Sequence, residues 1–316
     1  MHTNSIRPIV ALVTAASMGC TAAGTATRPP SPMNVAEPAA MTAPLDRAGL
    51  ERAMGRQAAA LGGSVLRFGM PRSDLRVRVG DVDIRPGFAL GSWVAFVATR
   101  RGTVAMGDLV LLDAELGPVL EALQANGIEQ TAIHHHLVGE IPHVVYVHIH
   151  GHGDPIAVAR GVRAALMRTG SPAPDAPAPT AVPPAFALDS AAISGILGRP
   201  ATFAGGVLQV ATPRPEPLLV SGDTMPASMG LATLMNFQTT GQGRAAITGD
   251  FVLRPADVNR VIRALQAAGI TPTSLHNHLL EDEPRLMFLH FWAEGDALAL
   301  ARGLKSGLDA EASRKR

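Results

Sequence analysis

GDLVLLDAELGPVLEALQANGIEQTAIHHHL, residues 107–137, and GDFVLRPADVNRVIRALQAAGITPTSLHNHL, residues 249–279, are two copies of one pattern set 142 positions apart. The same offset carries Val65-Leu66 to Val207-Leu208, Pro71-Arg72 to Pro213-Arg214, Gly153-Asp154 to Gly295-Asp296 and Arg160-Gly161 to Arg302-Gly303. Self-similarity of this length marks a duplication. The copies read as ungapped, and they set domains at 45–168 and 187–309. Between them, 169–186 is rich in Pro and Ala, which stiffens the chain and removes backbone donors, as expected of an extended linker. A charged tail follows at 310–316.

Within each copy the hydrophobic period changes along the chain. Residues 64–68, 75–79, 93–98 and 107–112 are short apolar runs and read as strands. Leu116, Val119, Leu120 and Leu123 then recur at helical spacing, and Val258, Val261, Ile262 and Leu265 repeat that stripe. Gly127 and Gly269 stand where a helix C-cap is expected. A hairpin is predicted from strands 131–138 and 144–150 with a turn near 139–142. Asp154 and Pro155 then open a last helix as N-cap and first-turn residue. The fold class is α+β: two homologous domains, each an antiparallel sheet with helices on one face and a ferredoxin-like β-α-β-β-α segment.

The hairpin holds the chemistry. Residues 133–153 contain seven of the chain's eleven histidines. Side chains alternate across a strand, so Ile133, Leu137, Val145, Val147 and Ile149 are predicted to face the helices, with His135 the polar exception. His134, His136, Tyr146, His148 and His150 share the other face. A turn centred near 140–141 sets His134 opposite His148, with His136 two residues along. In copy 2, Leu275, Leu279, Met287, Leu289 and Phe291 take the core face, and His276, His278 and His290 the other. His135, His143, His150 and His152 have no histidine counterpart; Asn277, Arg285, Trp292 and Glu294 stand in their places.

His-x-His on one strand with a third His beside it suits a catalytic zinc site, which needs three neutral imidazoles and an open position for water. Zinc is the first choice, and the donor set also admits Cu, Ni, Fe or Mn. Glu140 and Asp282, at equivalent turn positions, are candidate general bases or a fourth ligand, or else solvated turn residues. Asp108 and Asp250 follow a Gly at the start of a strand and are read either as turn formers or as additional ligands, as is His150. The alternative to a metal is a polar face that packs against the other domain, a small molecule or an envelope protein, and titrates as imidazole does near neutral pH. Arg160 and Arg302 read as solvated or salt-bridged. No P-loop, dinucleotide fingerprint or nucleophile elbow is present.

Composition narrows the class further. A net charge of +1 and 4% aromatic residues argue against a nucleic-acid surface. The only cysteine is Cys20, so no disulfide forms within the chain. It ends MHTNSIRPIVALVTAASMGC, a leader with Arg7 near its start and an apolar stretch too short to span a bilayer. Residues 1–20 therefore read as a lipoprotein-type signal peptide with Cys20 lipidated, or as a plain signal peptide cut near Ala23. Residues 21–44 read as a flexible tether. IHHHLVGEIPHVVYVHIHGHGDPIAVARGV and LHNHLLEDEPRLMFLHFWAEGDALALARGL resemble the LppY/LpqO family of bacterial lipoproteins across nearly all of the chain beyond the tether. The resemblance implies a tandem domain of unknown function, exported and membrane-anchored at Cys20; it brings no catalytic residues with it.

Overall fold

The computed structural model describes residues 44–62, 64–171 and 187–312. The leader, Cys20, the tether before residue 44 and most of the linker lie outside the described residues. No helix among those described is long and apolar enough to cross a membrane.

Repeat 1 runs α1 (Arg47–Met54), β1 (Ala59–Leu61), β2 (Val65–Pro71), β3 (Arg78–Val79), β4 (Val82–Asp83), α2 (Pro86–Ala89), β5 (Gly91–Thr99), β6 (Gly102–Leu112), α3 (Asp113–Ala125), β7 (Glu129–His134), β8 (Glu140–Ile141), β9 (Val144–Gly153) and α4 (Pro155–Leu166). Repeat 2 runs α5 (Ser190–Leu197), β10 (Ala201–Ala204), β11 (Val207–Pro213), β12 (Leu218–Val220), β13 (Asp223–Met225), a 3-10 turn (Ala227–Met229) in place of α2, β14 (Ala232–Gly241), β15 (Arg244–Leu253), α6 (Val258–Ala267), β16 (Thr271–His276), β17 (Asp282–Glu283), β18 (Met287–Asp296) and α7 (Ala297–Ala312). Each main sheet is antiparallel and six-stranded, in the orders β1-β2-β5-β6-β9-β7 and β10-β11-β14-β15-β18-β16. The α+β class with helices on one face of each sheet is what the sequence predicts.

The helix signals act as read. Asp154 accepts the amides of Ile156 and Ala157 at the start of α4. Gly127 and Gly269 take left-handed φ of 66° and 72° after α3 and α6, and Ile128 and Ile270 each donate back to the carbonyl of Leu123 or Leu265. Val119 and Leu123 of the stripe are fully buried. The repeated Gly161 and Gly303 serve close packing: a Cβ there would stand 2.8 Å from Ile128 or Ile270.

Alternation along the strands divides the core into three levels. Leu66, Phe68, Val94, Phe96, Ala105, Leu109, Leu111, Val147 and Ile149 pack under α1, α3 and α4, and their counterparts pack under α5, α6 and α7. The opposite faces of the two sheets meet each other. Ala95, Val97, Val104 and Met106 pack with Leu231, Val252, Leu279 and Phe288, while Val110, Leu137, Val144 and Tyr146 pack with Val207, Ala246 and Trp292. The molecule is therefore layered helix, sheet, sheet, helix, and the buried middle layer is shared by both repeats.

Four expectations are corrected. The strand predicted over 131–138 ends at His134, because the chain leaves the main sheet there; β8 pairs with β3 in a small second sheet, Arg78 facing Ile141 and Val79 facing Glu140. Register differs by two residues from the predicted one: His134 faces Tyr146 and Ala132 faces His148. A shift of two keeps every side chain on its face, so the histidine face survives. Leu137 and Leu279, predicted to lie under the helices, are buried in the middle layer, and Ile133 and Leu275, on the edge strands, are 51% and 45% exposed. Finally, the repeat match is not gapless: Phe96 faces Leu66 and Phe237 faces Leu208, an offset of 141, and an irregularity between Thr239 and Gly241 restores the register.

Candidate metal centre

β6 and β9 place Asp108 directly opposite His148 on the middle-layer face, and β15 and β18 do the same for Asp250 and His290. Asp108 is thus mid-strand and 5% exposed, with no turn for it to form. His134 comes from the last residue of β7 and His276 from the last of β16; His136 and His278 follow where the chain departs from the sheet. All six histidines meet in the middle of the molecule. Across the two repeats, His134 stacks on His276 with ring centroids 3.6 Å apart, while His136 meets His290 at 3.9 Å and His148 meets His278 at 3.7 Å with their rings tilted. The last two pairs exchange under the 142-residue offset, and the first maps onto itself, so the cluster is built around an approximate twofold axis. Thr131 and Thr273 respect the same axis: their hydroxyls donate to the carbonyls of His278 and His136 at 2.5 and 2.7 Å.

Several overlapping sets could hold a metal ion, each with ligand atoms within 4.8 Å of one another: Asp108, His134, His136 and His148; His134, His276 and His290; His148, His276 and His278; Asp250, His278 and His290. Both carboxylates, Asp108 and Asp250, are therefore members.

Hydrogen bonding fixes the ring tautomers. His290 Nδ1 lies 2.9 Å from the carbonyl of Gly249, and His148 Nδ1 lies 3.3 Å from that of Gly107. A carbonyl only accepts, so both Nδ1 atoms carry hydrogen and both Nε2 atoms carry lone pairs. His276 Nδ1 likewise donates to the carbonyl of Asn277 at 3.0 Å. Yet His276 Nε2 and His290 Nε2 are 2.8 Å apart. Two neutral imidazoles so arranged point lone pairs at each other. His134 Nδ1, His148 Nε2, His278 Nε2 and Asp108 Oδ1 are buried without a partner as well.

Protonation is a poor remedy, because burial penalises the imidazolium. It lowers His276 to about 4 and His290 to about 3, and holds His134, His136, His148 and His278 well below the usual range, with neighbouring imidazoles adding to the effect. Burial raises Asp250 to about 7 and Asp108 well above a normal carboxyl, the latter also through the charge of Asp250.

A cavity of about 220 Å³ adjoins the cluster. Its walls include Asp108, His148 and Asp250 and also four residues that the sequence reading passed over: Arg67, Trp93, Asn236 and Thr248. Arg67 lies 4.1 Å over the Trp93 ring, and Asn236 Oδ1 and Thr248 Oγ1 are buried without partners. Their one visible signal was alternation, which puts Arg67, Trp93 and Thr248 on the middle-layer face. Tyr146, read as lying on the histidine face, stacks on His136 at 3.5 Å and donates to the carbonyl of Ala89 at 3.0 Å.

The remaining candidates lie apart from these sets. His150 bonds Glu129 at 3.2 Å. Asp282 is held by Arg285 at 2.9 Å and by the amide of Leu286 at 2.7 Å. Glu140 groups with His135 and His143.

The family described as Domain of Unknown Function (DUF1259) matches the chain twice, over residues 48–168 and 191–310. The chain belongs to this family and carries its domain in tandem. No curated protein matches it. Among solved structures, EtuB from Clostridium kluyveri matches at 11% identity over 81% of this chain and 90% of that one, with a TM-score of 0.21. The trimeric microcompartment shell protein PduB matches at 13% over 81% and 91%, with a TM-score of 0.20. Likenesses at such scores carry no argument about function.

Proposed function

We propose that this protein binds transition-metal ions at one centre assembled from both repeats, His134, His136 and His148 with Asp108 on one side and His276, His278 and His290 with Asp250 on the other. The observation that carries the reading is the pair of lone pairs facing each other at His276 and His290, 2.8 Å apart. A cation between or beside them removes the conflict and converts neighbouring orphaned atoms into ligands. Two imidazole nitrogens on a tetrahedral zinc stand about 3.3 Å apart at ordinary bond lengths, so the rings part by about 0.5 Å on loading. An all-nitrogen and oxygen donor set favours zinc, and also admits Cu, Ni, Fe or Mn. The adjoining cavity gives a small molecule room beside the metal, which supports a metal-dependent hydrolase; Asp108 or Asp250 is then nearer the centre than Glu140 or Asp282 for the role of base.

The leader sequence and the LppY/LpqO resemblance support an exported protein, lipid-anchored at Cys20 in the cell envelope. A second reading has one observation in its favour: the histidine faces of the two sheets already pack against each other, which a non-enzymatic binding module with a polar interface would also show.

Elemental analysis of the untagged full chain separates the two. Stoichiometric metal in the wild type, lower by at least one equivalent in His134→Ala/His276→Ala with folding retained by circular dichroism, is the expected result. A wild-type chain that stays metal-free after incubation with zinc, cobalt, nickel, copper, iron and manganese salts leaves the interface reading in place.

A further inference from the structure

Repeat 2 neutralises its buried turn acid with an arginine. Asp282, whose side chain is 2% exposed, receives Arg285 Nη1 at 2.9 Å and the Leu286 amide at 2.7 Å, so both carboxylate oxygens are satisfied. The equivalent residues of repeat 1 are Glu140, His143 and Val144. The Glu140 side chain is 1% exposed. Its Oε2 has no partner, and its Oε1 has only a long 3.5 Å contact from the Val144 amide. No arginine takes the place of Arg285. Instead His143 Nε2 lies 3.8 Å from Glu140 Oε1, and His135, which stands where repeat 2 has Asn277, lies 4.5 Å from His143 between ring centroids.

The Nδ1 atoms of both rings are already engaged, His135 with the carbonyl of Val144 at 3.3 Å and His143 with Asp113 at 2.8 Å. Each hydrogen bond leaves Nε2 as the free lone pair, the arrangement by which outer groups orient metal-binding imidazoles. One ligand atom from each of His135, Glu140 and His143 lies within 4.8 Å of the others. His143 is 46% exposed, so the group is reachable from solvent.

We propose that His135, Glu140 and His143 form a second metal centre, for a divalent ion of the zinc class, that exists in repeat 1 alone. The bound cation takes the electrostatic place that Arg285 holds in repeat 2, and two imidazoles with one carboxylate leave a coordination position open to water. This centre is separate from the six-histidine cluster and does not depend on it.

The test converts repeat 1 into the pattern that the fold already accepts in repeat 2. Untagged full-length wild type, His135→Asn/His143→Arg, and Glu140→Gln are stripped with chelator and titrated with Zn(II) and Co(II). The double variant is expected to bind one equivalent fewer than wild type with the remaining equivalents unchanged, and Glu140→Gln to weaken that same equivalent about tenfold or more. His134→Ala/His276→Ala is expected to keep it, which distinguishes failure of this centre from failure of the shared one. Equal stoichiometry and affinity in wild type and the double variant overturns the proposal. So does a wild type that binds no ion here.

Discussion

His134 and His276, the same position in two copies of one domain, stack face to face with their ring centroids 3.6 Å apart. Two of the ligand sets draw on both repeats, His134 with His276 and His290, and His148 with His276 and His278. Four consequences can be measured.

The metal-free protein is expected to lose stability as pH falls below about 6.5. A group whose folded pKa is depressed contributes stability that is full above its unfolded value and is lost as pH drops toward the folded one. All six cluster histidines are depressed, His276 to about 4 and His290 to about 3. Asp108 and Asp250 act oppositely, since their raised values favour low pH, but six imidazoles outnumber two carboxyls. Urea unfolding of chelator-treated protein at pH 7.5, 6.5 and 5.5 should show a falling midpoint, and His276→Ala should flatten the trend. A midpoint that rises toward acid would contradict it.

Gly249→Ala is expected to cost about 3 kcal/mol or more. Gly249 has φ of 153°, and a Cβ there would lie 1.9 Å from the carbonyl oxygen of Leu234. The same residue's carbonyl orients His290, so metal uptake should fall with stability. A thermal midpoint within a degree or two of wild type would show that β14 and β15 part easily.

Arg72 is fully buried and holds Asp74 and Glu115 at 2.8 and 2.7 Å while donating to the carbonyl of Val110. Arg72→Ala leaves two carboxylates around an empty place and is expected to cost about 3–5 kcal/mol. Arg72→Lys, without the planar fork, should recover only part of this. Equilibrium denaturation of the three proteins decides the matter; equal midpoints would mean that water replaces the guanidinium.

Phe88 sits in the middle layer with Trp292 of the other repeat at 6.1 Å, ring edge to face. Phe88→Ala should cost about 3–5 kcal/mol as a cavity in a shared core. Because the contact joins the repeats, unfolding of the variant should remain a single transition at a lower midpoint. Two separated transitions would show that the repeats fold independently of this layer.

Period-two alternation was enough to assign the histidine face, because a strand offers only two directions. Asp108 was ambiguous from sequence: a Gly-Asp pair is a common turn, and only the ten-residue ladder with β9, from Thr103 to Leu112, shows that β6 runs through it. Ile133 and Leu137 were misplaced for a related reason. Alternation holds only while the chain stays in the sheet, and β8 draws it away after His134. What covers a face is a long-range property with no local signal, so the sequence puts each triad on one face of its sheet without showing that the two faces join in one cluster. Arg67 was missed because it is a single polar residue in an apolar strand, and Asn236 because it stands in a strand with several other polar residues and nothing local sets it apart.

The two walls of the cavity differ in a way that the fold axis alone would not give. In a pair of identical subunits, a central site presents the same chemistry from either side, and a guest can enter it in two equivalent poses. Here Arg67 lies on one wall and its counterpart on the other is Gln209, and Tyr146 answers to Phe288. Joining the copies in one chain let the two halves of the chamber diverge, so the two poses that a symmetric pair would offer a guest are no longer equivalent.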